Sequence, residues 1–164
     1  MLVARLLARR WRASRVGCEV DHVVADSCCG RACGTVPSVE SVSFAVRDNR
    51  AVWAGRTLRG WSDVLVDALV AEFDPVCVIL FGSVASGSDG PDSDIDLLVV
   101  LDHAPVADRR RLMVEMRRVT RSVAAPHDLL VTSAADFVRN SARPGTTEYE
   151  PAQQGVVLYE RIVA

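Results

Sequence analysis

The sequence predicts an α/β fold with an irregular amino-terminal extension. Helical and strand-like patterns alternate through residues 61–160 of the 164-residue chain, as is typical of α/β domains. Short, continuous apolar runs at 76–81 and 94–101 indicate strands that are covered on both faces. Residues 1–50 carry no comparable pattern, so we assign them to the extension and residues 51–164 to the folded domain.

The distribution of charge restricts the partners of this domain. Residues 1–60 carry ten Arg against five acidic residues, whereas residues 61–164 carry nine Arg against sixteen. A negative domain binds a nucleic-acid backbone poorly, so we expect no stable DNA binding. Any phosphate substrate is then expected to arrive with its metal ion.

The first part of the chain offers two alternatives to an irregular extension. Cys28, Cys29 and Cys33 could bind zinc, but no second matched pair of ligands follows, which favours an irregular segment. The Arg-rich start resembles the beginning of an export signal, yet acidic residues at 19 and 21 interrupt any apolar core segment. No run reaches the roughly 18 apolar residues of a membrane helix. We therefore expect a cytoplasmic protein without a membrane anchor.

The elements up to the first central strand follow from local patterns. Residues 38–52 alternate weakly, which indicates a strand or hairpin. Ser62 is predicted to cap an amphipathic helix over 62–73, and Asp74-Pro75 ends it. The run at 76–81 is a strand in which Cys77 is expected to be a buried thiol. A short helix over 83–88 and a turn follow.

The second half continues the alternation. A strand over 94–101 precedes a long amphipathic helix over 105–124, and a third strand follows at 127–132. Ser133 is predicted to cap a helix that runs to residue 140. A final helix over 147–154 and a short strand at 156–160 complete the domain.

Two carboxylates at the start of a strand are the most informative feature of the sequence. Asp94 and Asp96 lie two residues apart, so on a strand their side chains leave on the same side, while Ile95 points the other way. Neighbouring carboxylates repel each other unless a cation lies between them. Oxygen ligands of this kind suit Mg²⁺ or Mn²⁺.

The residues around this pair resemble a known signature. Gly82-Ser83, followed after ten residues by Asp94-Ile95-Asp96, resembles the signature of the DNA polymerase beta-like nucleotidyltransferase superfamily, and especially its minimal nucleotidyltransferases. The resemblance covers about residues 61–161. It implies a small mixed β-sheet flanked by helices, and transfer of a nucleotide, in this case AMP from ATP, with two Mg²⁺ ions or Mn²⁺ in their place.

The resemblance also implies roles for individual residues. Asp94 and Asp96 would ligate the metal ions, and Asp128 would be a third ligand that helps to deprotonate the acceptor hydroxyl. Gly82 and Ser83 would bind the terminal phosphates of the nucleotide. His127 adjoins Asp128 but should face the other side of its strand, which favours a structural role.

One departure from the family concerns the turn after Gly82-Ser83. Many small members carry arginines there, whereas this chain has Val84 and Ser86. The metal ligands match those of the family, but the contacts that hold the triphosphate are expected to differ.

The acceptor is left open between several classes. A chain of this length is expected to lack the extra domain with which larger relatives hold an acceptor, which favours a docking macromolecule. Small members of the family commonly serve as antitoxins that adenylylate a helical HEPN ribonuclease toxin, and this chain looks similar. The alternatives are nucleotidylation of RNA or of a small molecule such as an aminoglycoside, or neutralisation of a partner by binding alone.

Overall fold

The computed structural model describes residues 44–47 and 50–162, and every structural statement below concerns these residues. All of them fall in one compact unit, Val42–Ala164. The predicted extension over residues 1–50, including its cysteine cluster, lies almost wholly outside the described residues and stays a prediction. The predicted start of the folded domain, residue 51, falls within a strand of this unit.

The described elements alternate much as the sequence predicts. In chain order they are β1 (Phe44–Arg47), β2 (Arg50–Trp53), β3 (Arg56–Thr57), α1 (Leu58–Phe73), β4 (Cys77–Phe81), α2 (Gly82–Ser86), β5 (Ile95–Leu101), α3 (Arg109–Val119), a 3-10 turn (Thr120–Ser122), β6 (His127–Ser133), α4 (Ala134–Asn140), α5 (Tyr149–Gln154) and β7 (Val156–Glu160).

The central sheet is mixed and has four strands in the order β6–β5–β4–β7. Strand β4 pairs antiparallel with both β5 and β7, whereas β5 and β6 are parallel. A parallel pair needs a crossover connection, which α3 supplies. The small mixed sheet flanked by helices confirms the predicted fold class.

The middle of this sheet is buried on both faces. Residues 77–80 of β4 and residues 97–100 of β5 are all 0% exposed. Helix α1 packs Leu65 and Leu69 into the same core, and α3 adds Met116. Burial, together with the nearby Glu160 carboxylate, raises the pKa of the Cys77 thiol to about 12, so this group is an uncharged thiol at neutral pH, as predicted.

A three-stranded antiparallel sheet, β1–β2–β3, precedes α1. It confirms the hairpin expected within residues 38–52, although the hairpin itself spans 44–53. The indole of Trp61 donates a 2.8 Å hydrogen bond to the carbonyl of Trp53, and the Arg56 guanidinium lies 5.1 Å from the Trp61 ring centre. These contacts attach the small sheet to the first helix of the domain.

The predicted amino-terminal cap of α1 is wrong. The helix begins at Leu58, and its cap is Thr57, whose side-chain oxygen accepts a 3.1 Å hydrogen bond from the backbone N–H of Gly60. Ser62 is buried inside the helix and donates its hydroxyl to the carbonyl of Arg59. Both residue types suit a cap, so only the hydrogen bond distinguishes them.

The helix predicted over 105–124 is shorter than expected. Pro105 begins a turn in which its carbonyl accepts from the backbone N–H of Asp108, and Val106 is 75% exposed instead of continuing the apolar stripe. At the other end, Thr120 donates its hydroxyl to the Met116 carbonyl and the chain tightens into a 3-10 turn. The remaining helix and strand boundaries shift by a few residues, which is usual for assignments from sequence.

The helices of the described residues were compared in length and apolar character with a membrane span of about 18 residues or more. None of these described helices combines the length and apolar character needed to cross a bilayer.

We predict that the cap of α1 is a measurable source of stability. Thr57→Ala removes the acceptor for the Gly60 N–H and should lower the free energy of unfolding by about 1 kcal/mol. Thr57→Ser retains a capping hydroxyl and should stay close to wild type. Urea denaturation followed by circular dichroism tests this, and equal stability of the two variants would contradict the assignment.

Candidate active site

The Gly82-Ser83 turn lies where β4 passes into α2. Gly82 has a φ of 70°, a conformation that favours glycine, and a Cβ atom there would collide with Oδ2 of Asp96. A larger residue at this position would strain the backbone and displace the Asp96 carboxylate. The collision also shows that the Asp96 carboxylate lies directly against the backbone of this turn.

Strand register brings two of the predicted site carboxylates to neighbouring positions. Phe81, which precedes the turn, pairs with Asp96 across β4 and β5, and Asp96 pairs with Asp128 across β5 and β6. Asp94 lies one residue before β5, which begins at Ile95 and not at residue 94 as predicted. The turn and the three aspartates therefore share one end of the sheet.

Asp96 lies at the centre of this group, where its carboxylate is partly buried and surrounded by like charges. Partial burial is the largest cause that raises the pKa of Asp96 from 3.8 to about 6, and the charges of Asp94, Asp128 and Glu150 add to it. Three neighbouring carboxylates therefore add to the rise in the pKa of Asp96. The arrangement is unfavourable for the protein alone and favourable for binding a cation.

Glu150 is a member of this group that sequence reasoning missed. It lies in the first turn of α5, and α5 packs against α2 and β4. Its distance along the chain from Asp96 conceals the relation, because only the packing of α5 brings the two carboxylates together. An acidic residue in the first turn of a helix is common on general grounds and gave no signal.

Asp128 differs from Asp94 and Asp96 because an arginine side chain already contacts it. Nη2 of Arg117, on α3, donates a 2.6 Å hydrogen bond to Oδ1 of Asp128. The Asp128 side chain is 45% exposed, and exposed ion pairs contribute only about 0–1 kcal/mol. Arg117 can therefore leave Asp128 at small cost.

The neighbouring polar residues have structural roles. Nδ1 of His127 lies 2.8 Å from the Ala125 carbonyl oxygen, and Nε2 lies 3.0 Å from the Thr120 hydroxyl, in keeping with the structural role expected for this histidine. The Ser83 hydroxyl donates to the hydroxyl of Ser93, which also accepts from the Gly90 N–H. The segment between α2 and β5 is thus closed onto the Gly82-Ser83 turn.

The two positions that lack the family's arginines have their own physical explanation. Val84 is 2% exposed and packs in the core, where an arginine could not be accommodated without its charge being buried. Ser86 donates its hydroxyl to the carbonyls of Gly82 and Ser83 within α2. Val84 therefore serves the core, Ser86 bonds within the short helix, and neither residue carries a charge.

The residues at the site fit a divalent cation in donor chemistry. Carboxylate oxygens are the ligands that Mg²⁺ and Mn²⁺ prefer, and partial burial followed by the charges of the neighbouring carboxylates raises the pKa of Asp96. Within the part of the chain that the structure describes, no three His, Cys, Asp or Glu side chains are already arranged as a metal site. Asp94 and Asp96 are the residues that would hold the ion, and Asp128 could join them after leaving Arg117.

The part of the chain that holds this site is similar to known proteins. The family model described as polymerase beta, nucleotidyltransferase matches residues 64–162, which is more than half of the chain. A crystal structure of a proposed nucleotidyltransferase from Sulfolobus solfataricus is similar over 63% of this chain and 80% of that one, with 22% identity and a TM-score of 0.45. No curated protein matches the sequence.

We predict that Asp96 destabilises the folded protein above acidic pH. The folded state binds this proton more tightly than the unfolded chain, so stability falls as pH rises from 3.8 to about 6 and then levels off. In EDTA at pH 7, Asp96→Asn should raise Tm by about 4 °C for each kcal/mol of burial cost and charge repulsion that it relieves. Asp67→Asn, exposed on α1, is the control and should not change the pH dependence. A Tm of Asp96→Asn at or below that of wild type would contradict the predicted destabilisation by the Asp96 carboxylate.

We predict that Gly82 and Gly87 respond differently to the same substitution. Both have positive φ, so alanine should cost each about 1–2 kcal/mol of stability. Only the methyl group at position 82 meets the Asp96 carboxylate, because a Cβ at 87 finds ordinary contacts. Carboxyl carbon-13 NMR titration should therefore show a lower pKa of Asp96 in Gly82→Ala, where the group is displaced towards water, and no change in Gly87→Ala. Identical titrations in both variants would contradict the close contact.

Proposed function

The chain belongs to the polymerase beta nucleotidyltransferase family, and from this membership we propose that it transfers AMP from ATP to a hydroxyl group of a partner macromolecule in a reaction that requires Mg²⁺. The observation that carries the proposal is the register of β4, β5 and β6. It aligns the Gly82-Ser83 turn, Asp96 and Asp128 across three adjacent strands.

The proposed roles follow from the placement of each group. Gly82 and Ser83, at the start of α2, would contact the phosphates of ATP through their backbone N–H groups, beside the Asp96 carboxylate that lies against Gly82. Asp94 and Asp96 would hold Mg²⁺, with Mn²⁺ as a substitute. When bound, the metal would neutralise charge on the phosphates and on the pyrophosphate leaving group.

Asp128 is the group best placed to assist the acceptor. In the transfer, the acceptor oxygen forms a bond to the α-phosphorus, the bond to pyrophosphate breaks, and the hydroxyl proton must leave. An ionised Asp128 can accept that proton. Its side chain is half exposed and its present partner, Arg117, is on the surface, so an acceptor can reach it.

The acceptor that we propose is a protein, namely the HEPN-type ribonuclease of a toxin-antitoxin pair in which this chain is the antitoxin. The support is the resemblance of the sequence to the minimal nucleotidyltransferases and the open position of the carboxylates. Asp94 is exposed, and Asp128 is partly so, which suits a large docking acceptor. Because ATP is the proposed donor, we place the reaction in the cytoplasm.

Label transfer from ATP tests the proposal. Wild type, incubated with α-labelled ATP, Mg²⁺ and the purified product of the adjacent gene, should label that product. Asp94→Asn and Asp96→Asn should lose about three orders of magnitude in rate, because metal contacts contribute several kcal/mol and each step of about 1.36 kcal/mol is tenfold. Asp67→Asn should label as wild type does.

The other acceptor classes give different results in the same assay. Label on added RNA or on an aminoglycoside, with none on the protein, would replace the proposed acceptor and keep the chemistry. No labelling of any acceptor, with Asp96→Asn still inhibiting the partner, would replace the enzyme by a binding module.

A further inference from the structure

A buried carboxylate lies in the segment formed by α2 and the loop that follows it, which we call the site turn (residues 82–93). The Asp89 side chain is 0% exposed. Its Oδ2 accepts a 2.7 Å hydrogen bond from the backbone N–H of Ala51, and its Oδ1 lies 2.8 Å from Nε of Arg50. A buried carboxylate is costly unless it is paired and hydrogen-bonded. Both partners of Asp89 come from β2.

Arg50 also contacts a second point of the site turn. Its Nη2 donates a 3.3 Å hydrogen bond to the carbonyl oxygen of Val84, and a Cβ atom at Gly87 would lie 3.6 Å from its Nη1. The rigid, planar guanidinium therefore bridges α2 and the loop that follows it. One side chain of β2 thus fixes the two halves of the site turn relative to each other.

The site turn has few other long-range restraints of this kind. Its remaining described hydrogen bonds join residues within the turn, and they include those from the Ser88 N–H to the Ser83 carbonyl and from the Gly90 N–H to the Ser93 hydroxyl. Local bonds close the turn on itself but do not attach it to the small sheet. The contacts of Arg50 and Ala51 make that attachment.

Arg50 supplies a basic group beside a turn that has none of its own. Val84 and Ser86 carry no charge, and Val84 is buried, so the turn contains no basic side chain of its own. Arg50 brings a guanidinium beside it from a strand that lies before the residues matched by the family model. Its side chain is 34% exposed, so the group also remains in contact with solvent.

We propose that Arg50 is a positioning residue for nucleotide binding, which acts by clamping the site turn through Asp89 and the Val84 carbonyl. The inference rests on the proposed function, in which Gly82 and Ser83 contact the phosphates of ATP. An ordered turn presents these residues to the nucleotide without an ordering cost at binding. Strand β2 is then part of the nucleotide site although it lies outside the family match.

Two measurements on matched variants test the clamp. Arg50→Gln should weaken binding of Mg²⁺–ATP, measured by isothermal titration calorimetry, by about tenfold, equivalent to about 1.4 kcal/mol. Hydrogen exchange at the Ser88 and Gly90 amides should become faster by about tenfold, relative to the core amides of β5 as internal reference. Arg111→Gln removes the same charge from the exposed surface of α3, where Arg111 pairs with Glu115, and should change neither quantity.

Further variants separate the clamp from general damage to the fold. Arg50→Gln combined with Asp89→Asn leaves no unpaired buried charge and should still show fast exchange and weak binding. Arg50→Lys keeps a charge for Asp89 but loses the bridging fork, so its affinity should lie between wild type and Arg50→Gln.

The results separate the clamp itself, its role in nucleotide binding and the proposed function. Unchanged exchange at Ser88 and Gly90 in both Arg50→Gln and the double variant overturns the clamp. Faster exchange with unchanged Mg²⁺–ATP affinity overturns its role in nucleotide binding. If wild type itself binds no Mg²⁺–ATP, the proposed function fails and the positioning role fails with it, while the exchange data still show whether Arg50 holds the turn.

Discussion

The register between β4, β5 and β6 is the constraint on which the rest of the site depends. Because side chains alternate along a strand, a slip of one residue would move Asp96 to the face on which Leu97 packs and Leu97 to the opposite face. The central strands are buried on both faces, so such a slip is strongly opposed. The apolar packing that stabilises the sheet therefore also sets Asp96 beside Asp128 and against the Gly82 backbone.

At this end of the sheet, the carboxylates that serve the proposed function lower the stability of the folded protein. The carboxylates around Asp96 repel one another, and the apolar core of β4 and β5 offsets that cost. Strained or mutually repelling groups persist in proteins where the surroundings over-determine them, which is common at functional sites. The exposed pair between Arg117 and Asp128 relieves only a small part of the repulsion and leaves the site open to a cation.

The small sheet before α1 contacts the site turn from outside the residues that the family model matches. The family match begins at residue 64, yet Arg50 and Ala51 supply the partners of the buried Asp89. The tryptophan contact between Trp53 and Trp61 attaches the same sheet to α1. A domain boundary drawn from sequence patterns alone therefore gives no indication that β2 contacts the site turn.

The sequence by itself determined most of the secondary structure and the pair of aspartates at the start of β5, because periodicity, continuous apolar runs and caps such as Ser133 are local signals. It misplaced the cap of α1, since Thr57 and Ser62 are chemically alike and only the bond to Gly60 separates them. Tertiary structure alone decided which groups meet the aspartates: Arg117 at Asp128, Glu150 near Asp96, and Arg50 at Asp89. Contacts between residues far apart in the chain leave no periodic trace, so they emerge only when the packing of strands and helices sets the partners.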